Sequence, residues 1–193
     1  MPDTRTRILD TGAELFRRQG YAATGIKQIV TAAQAPFGSI YHHFPGGKEQ
    51  LGAEAIRVSG ALYELLVPAV FDPAPDLVSG VRAFFAGAAL HLEETDYEDA
   101  CPIATITLET ASRSEPMREA SHDVFESWIV AGLPHFTAAG LSEPAARELI
   151  ISLICALEGA FLLARAARCT EALQVAGDLM VAATERALAQ AGR

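Results

Sequence analysis

The pattern of apolar and polar positions is helical almost throughout. Apolar residues recur three and four apart, and no stretch alternates between hairpin turns. From Thr4 to Gln19, Ile8, Leu9, Ala13, Leu15 and Phe16 share one face, and Gly20 stands where a left-handed helix stop belongs. Thr24 is placed to cap a short second helix ending near Ala33, with Ile26, Ile29 and Val30 inward. Pro36 starts a third, Phe37 to Phe44, and the Pro-Gly-Gly at 45–47 breaks it. A fourth runs from Lys48 to about Val67, where Pro68 ends it.

Beyond a linker at 72–76, Leu77, Val81, Phe84, Phe85, Ala88 and Leu92 mark a fifth helix. An acidic stretch, 93–99, reads as a solvated loop. Cys101-Pro102 opens the next helix, and Glu115-Pro116 separates it from a long one, Met117 to Ala139, with Pro134 as a kink. Ser142 caps a helix from Glu143 to about Arg168, and a last one spans Thr170 to Gln190. The expectation is an all-α protein of about nine helices: a three-helix N-terminal domain, residues 1–50, and a larger helical bundle, 51–193.

Composition narrows the class. Half of the 193 residues are hydrophobic and a fifth are charged, which suits a folded core and excludes disorder of the whole chain. Cys101, Cys155 and Cys169 have neither zinc spacing nor the even number of a disulfide framework, so a reducing cytoplasm is expected. The first ten residues show no apolar signal core. The run Leu149 to Ala164, interrupted by Ser152 and Glu158, is shorter than the ~20 residues of a spanning helix and reads as a buried one. The net charge of −9 argues mildly against nucleic acid, because phosphates need neutralising. Its distribution removes the objection. Residues 1–50 hold six basic and four acidic side chains, net +2; the remainder holds nine Arg and twenty acidic residues, net −11.

Residues 24–51 carry the chemistry. Two short helices meet at a tight turn near Gln34-Ala35-Pro36, with a supporting helix before them, which is the outline of a helix-turn-helix. Ser39, Tyr41, His42 and His43 crowd hydrogen-bonding groups onto the second of these helices, while Ile40, Phe44 and Leu51 read as core. Lys48 lies in the first turn of a helix, where a cation is unfavourable unless an anion rests against it. A phosphate on Gly46, Gly47 and Lys48 would meet backbone N–H groups and the ammonium together.

In these residues the chain resembles the TetR family of bacterial transcriptional regulators. Thr24, Ile29, Ala33, Gly38, Ser39, Tyr41, His42, His43, Phe44, Lys48 and Leu51 stand at the family's spacing. The resemblance implies backbone contacts to DNA from Thr24, Ser39, Tyr41, His43 and Lys48, and places Phe37, Gly38 and His42 toward the bases. Lys27 joins the DNA-facing set. Two residues depart from the pattern. Gln34 replaces the usual turn glycine, at a cost of roughly 1 kcal/mol if left-handed. Phe37 replaces a common Lys or Arg; it cannot read guanine but suits a thymine methyl.

The likeness continues through CPIATITLETAS at 101–112 and LEGAFLLARAARCTEAL at 157–173. It implies a homodimer whose larger part binds a small effector, and a repressor that leaves a palindromic operator when that effector moves the fourth helix. The apolar run at 149–164, with Ala156, Gly159 and Ala160, and the face Leu173, Ala176, Met180, Ala183, Ala187 suit a four-helix interface between subunits. Phe84, Phe85, His91, Phe125, Trp128 and Phe161 are the effector-binding candidates. No cofactor, metal or catalytic site is expected, and Cys101 reads as structural. The alternatives are a helical enzyme using His91, His122 or His135, whose spacing fits no HExxH motif, and a helical interaction module with a vestigial DNA-binding head.

Overall fold

The computed structural model describes residues 2–98 and 101–192, so Asp99 of the acidic stretch lies outside the described residues. The observed elements are helices: α1 Thr4–Gln19, α2 Ile26–Ala32, α3 Ser39–His43, α4 Gly47–Glu64, α5 Leu66–Phe71, α6 Leu77–Glu94, α7 Pro102–Thr110, α8 Glu115–Ala138, α9 Glu143–Ala167 and α10 Glu171–Ala191. There are ten among the described residues, one more than expected. Pro68 is the reason. It offers no N–H to the Glu64 carbonyl four residues back and its ring crowds that carbonyl, so α4 stops at Glu64. Pro68 then sits in the first turn of α5, where a missing N–H costs nothing. Pro134, by contrast, lies within an uninterrupted α8.

By packing, the chain forms two units. The first holds the chain through Leu62 together with Cys101–Phe125, so it reaches beyond the 50/51 boundary and takes in α7 and the start of α8. Its core is apolar contact: Ile8 and Phe16 of α1, Ile29 of α2, Ile40 and Phe44 around α3, Leu51 and Ile56 of α4, and Ile103 and Met117 are all wholly buried. Each such side chain contributes roughly 1.5–3 kcal/mol on burial. The close fit shows at Gly12, where an added Cβ would lie 3.2 Å from Leu51.

The second unit holds α5, α6, the rest of α8, α9 and α10. Leu77, Val81, Phe85 and Leu92 of α6 pack with Ile129 and Phe136 of α8, Leu149, Ile150 and Leu153 of α9, and Leu173 and Met180 of α10. This corrects one expectation. Leu173 and Met180 are buried, and Ala176, Ala183 and Ala187 pack on the same core, so that face of α10 is used inside the subunit. α9 is likewise buried on one side only, through Ala146, Leu149, Ile150, Leu153, Ala160 and Ala164. Ile151, Leu162 and Leu163 on α9 and Val175 and Leu179 on α10 are exposed. At 25 residues, α9 is long and apolar enough to cross a membrane by length and composition, contrary to the shorter run read from the sequence.

Helix ends follow local chemistry. Asp3 caps α1 by accepting from the Thr6 N–H at 2.7 Å, and Asp76 caps α6 through the Ser79 N–H at 2.7 Å. Cys101 caps α7 through sulfur, 3.4 Å from the Ala104 nitrogen. No disulfide joins the three cysteines. α6 and α9 both end on left-handed residues other than glycine, Asp96 (φ 50°) and Arg168 (φ 51°). In each case the following N–H reaches back: Tyr97 to the Leu92 carbonyl at 2.8 Å, Cys169 to that of Ala164 at 3.2 Å.

The contact of α6 with α10 gives a direct test of packing in the second unit. A Cβ at Gly177 would stand 2.9 Å from the Cβ of Phe85, close to the backbone and unable to swing aside. Gly177→Ala is expected to destabilise by about 1–3 kcal/mol. Urea unfolding followed by circular dichroism would show the midpoint fall with an unchanged slope.

Candidate nucleic-acid interface

The turn between α2 and α3 sets the reading geometry. α2 ends when the Gln34 N–H bonds the Thr31 carbonyl at 3.1 Å and the Ala35 N–H bonds that of Val30 at 2.9 Å. This paired closure needs a left-handed residue at position 34, and Gln34 adopts φ 51°. Arg7 of α1 steadies the turn by donating Nε–H to the Ala33 carbonyl at 3.2 Å. The chain then passes Pro36 into α3, whose first N–H, on Ser39, returns to the Pro36 carbonyl at 2.9 Å.

α3 presents its predicted side chains unevenly. Phe37 and Tyr41 are 55% and 51% exposed, their rings edge to face at 6.4 Å. His42 is exposed, while His43 and Ser39 are half-buried. The two imidazoles stand 4.8 Å apart. Gly38 is exposed with ordinary helical angles, and a Cβ there would meet nothing within 4 Å. Lys27 is exposed on α2.

Two predicted contacts are placed elsewhere. Thr24 is fully buried, and its hydroxyl donates to the Gly20 carbonyl at 2.7 Å. It neither caps α2, whose N-cap is Gly25, nor offers an atom to a phosphate. Lys48 is half-buried, its Nζ donating to the Tyr21 carbonyl at 2.6 Å and lying 4.1 Å from the centre of the Tyr21 ring. Burial holds its ammonium below the usual lysine range, against the nearby Glu109 carboxylate, which pulls the other way. The two glycines before it also have partners: the Gly46 N–H donates to the Gln50 side chain at 2.9 Å and the Gly47 N–H to the Phe44 carbonyl at 2.8 Å. In this state the segment is an internal tie, not an open anion cradle.

Glu109 lies within the family-like segment 101–112, but nothing in its spacing assigns it a role. At the end of α7, its Oε2 accepts from the Ala22 N–H at 2.7 Å and its Oε1 from the Tyr21 N–H at 3.2 Å. Ser114 donates to Glu49 at 2.6 Å, a second bond from beyond α7 to the first turn of α4. Both pairings join residues more than sixty apart, beyond the reach of local spacing.

The effector candidates do not share one surface. Phe85 is core, Phe84 packs edge to face on it at 6.0 Å, and Phe161 is partly buried against the same core. Trp128 meets Tyr63 at 6.3 Å, His91 is exposed, and Phe125 belongs to the first unit. Phe71, absent from the expected set, gathers rings instead: Phe84 at 6.3 Å, Phe136 at 5.7 Å and His135 at 5.5 Å, with His135 Nδ1 3.7 Å from Asp72. A groove of about 160 Å³ between α6 and α10 uses only Phe85 of the candidates. No cluster of three or more metal-ligating side chains occurs among the described residues, so His91, His122 and His135 form no such group.

A short exposed reading helix on a three-helix head, joined to an all-helical second unit, defines a helix-turn-helix regulator. The comparisons agree. Residues 8–55 match the family described as bacterial regulatory proteins, tetR family, and residues 78–179 match the LmrA/YxaF-like transcriptional regulator C-terminal domain. Among Bacillus subtilis proteins, the uncharacterized HTH-type transcriptional regulator YxaF is 36% identical over 83% of this chain and 84% of its own. The HTH-type transcriptional regulator LmrA is 33% identical over 86% and 88%. In fold, the chain is similar to the reduced form of Escherichia coli NemR, with a TM-score of 0.79 at 22% identity over 93% of this chain and 95% of that one. The chain belongs to the TetR family of transcriptional regulators.

The strain at Gln34 is measurable. Gln34→Gly removes the left-handed penalty and gives back part of it through a freer unfolded chain. Stability is expected to rise by about 0.5–1 kcal/mol, read as a higher urea midpoint.

Proposed function

We propose that the protein is a homodimeric repressor that binds a palindromic operator and is released by a small-molecule effector. The supporting observation is the surface of α3. The Phe37 and Tyr41 rings are half-exposed and pack edge to face on each other, the His42 imidazole is exposed, and Gly38 faces open space, so none of them belongs to the core of the head. The missing Cβ at Gly38 lets another surface come close to the backbone. The first residues of a recognition helix meet base edges in the major groove, and two heads one duplex turn apart, about 34–36 Å, read a palindrome.

Lys27, Ser39, Tyr41 and His43 supply contacts outside the bases, chiefly as neutral donors, and His42 faces the bases with Phe37 and Gly38. Thr24 and Lys48 act one step back, by holding the turn that leads into α2. The exposed Ile151, Leu162 and Leu163 of α9 and Val175 and Leu179 of α10 form the dimer face, which also accounts for an apolar helix in a cytoplasmic protein. The second unit is the effector domain. Phe84, Trp128 and Phe161 remain candidates there, joined by Phe71 and His135.

The test is an anisotropy titration with duplexes from upstream of the protein's own locus. Sequence-selective, salt-sensitive binding by a dimer is expected. Failure at every such duplex would leave the interaction-module reading in its place. Phe37 adds a sharper expectation. In the best half-site, each thymine is replaced in turn by uracil, which removes only the C5 methyl. One position is expected to weaken wild-type binding about fourfold, the value of one buried methyl group. The same exchange should leave Phe37→Ala unaffected.

A further inference from the structure

We propose that Glu109 is a positioning residue for DNA reading: from the end of α7 it sets the α1–α2 turn, and through it the course of α2 and α3. The proposal rests on the DNA-binding reading above and adds a determinant from outside the helix-turn-helix.

The turn, residues 20–25, is gripped on both sides of its backbone. On one side the Glu109 carboxylate takes two consecutive N–H groups, those of Tyr21 and Ala22. On the other, Lys48 donates to the Tyr21 carbonyl and lies over its ring. Within the turn, Thr24 donates to the Gly20 carbonyl. Gly20 fits this arrangement twice over. Its φ of 83° is a glycine conformation, and a Cβ would collide with Glu109 Oε1. α2 starts directly after the turn at Gly25, with no side-chain cap of its own. The direction of α2 is therefore inherited from the turn, and Glu109 is its charged support from a distant segment. α7 is the first helix of the chain after it leaves the second unit, so the head takes its register from a segment attached to the effector domain.

The test compares wild type, Glu109→Gln and Glu109→Ala on the best operator and on a scrambled duplex of equal length. Gln keeps the shape and one acceptor oxygen. If Ala fails to fold, the Gln variant carries the test alone. Operator affinity is expected to fall about tenfold in Glu109→Gln, the scale of one charge-assisted hydrogen bond. Affinity for the scrambled duplex should hold or rise, because removing a negative charge favours any phosphate backbone. Hydrogen exchange should quicken at the Tyr21 and Ala22 amides and not in the core of α1. Equal losses on both duplexes would mean that the variant only loses folded protein, and would overturn the proposal. So would an operator-to-scrambled ratio within twofold of wild type, even with the two amides deprotected. A wild type that does not discriminate between the duplexes would instead sink the DNA-binding reading, and this inference with it.

Discussion

The head of this molecule depends on how one short turn is held. Between α1 and α2 the Tyr21 and Ala22 N–H groups point to one side and the Gly20 and Tyr21 carbonyls to side-chain donors on the other. Glu109 takes the donors, Lys48 takes a carbonyl, and Thr24 closes the loop from within. At the half-buried Tyr21 an unmet donor or acceptor costs up to about 1–3 kcal/mol, so these partners decide where the turn can rest. α2 and α3 follow from that position. The core around Ile29, Ile40 and Phe44 supplies most of the stability of the head but is non-directional, so it does not by itself aim the reading helix.

The same pairings change the electrostatics of the reading surface. The +2 of residues 1–50 looks modest, and the structure makes the available charge smaller still. Lys48 is engaged with Tyr21, Arg17 and Arg18 with Glu14, and Arg5 with Glu54. Lys27 is the exposed lysine of the head. A small surplus of cations means few released counterions and a shallow dependence on salt. In the proposed mode of reading, discrimination then falls to the neutral donors and the apolar Phe37.

Helical periodicity made most elements legible, because each helix buries one face and the period is local. The helix-turn-helix is legible for the same reason, and the resemblance marks position 34 as a turn-glycine site, where Gln34 does adopt a left-handed φ of 51°. The misses share a cause. Lys48 reads as a phosphate ligand because spacing shows a helix start; that its ammonium turns to Tyr21, twenty-seven residues away, is a tertiary fact. Thr24 looks like a cap until its burial is known. The apolar face of α10 is visible in sequence, but periodicity cannot say whether α6 or a second subunit covers it. Glu109 stands inside the family-like segment 101–112, yet its role is not legible there, since its partners are backbone amides that carry no residue identity.

The size of the clamp bears on how such a head is switched. Moving a two-state equilibrium from 1:99 to 99:1 takes about 5.5 kcal/mol. Two hydrogen bonds from an ionised carboxylate to backbone N–H groups would give about 3–6 kcal/mol in a dry site. Here one of the pair is exposed, so about 1–3 kcal/mol is the better figure for one head. That is too little for a complete switch in a single chain. In the proposed dimer a palindromic operator requires both heads at once, so both clamps count and the total doubles to about 2–6 kcal/mol. The proposed dimerisation would do more than set the spacing of two reading helices. It would bring a modest local interaction up to the scale that release from DNA demands.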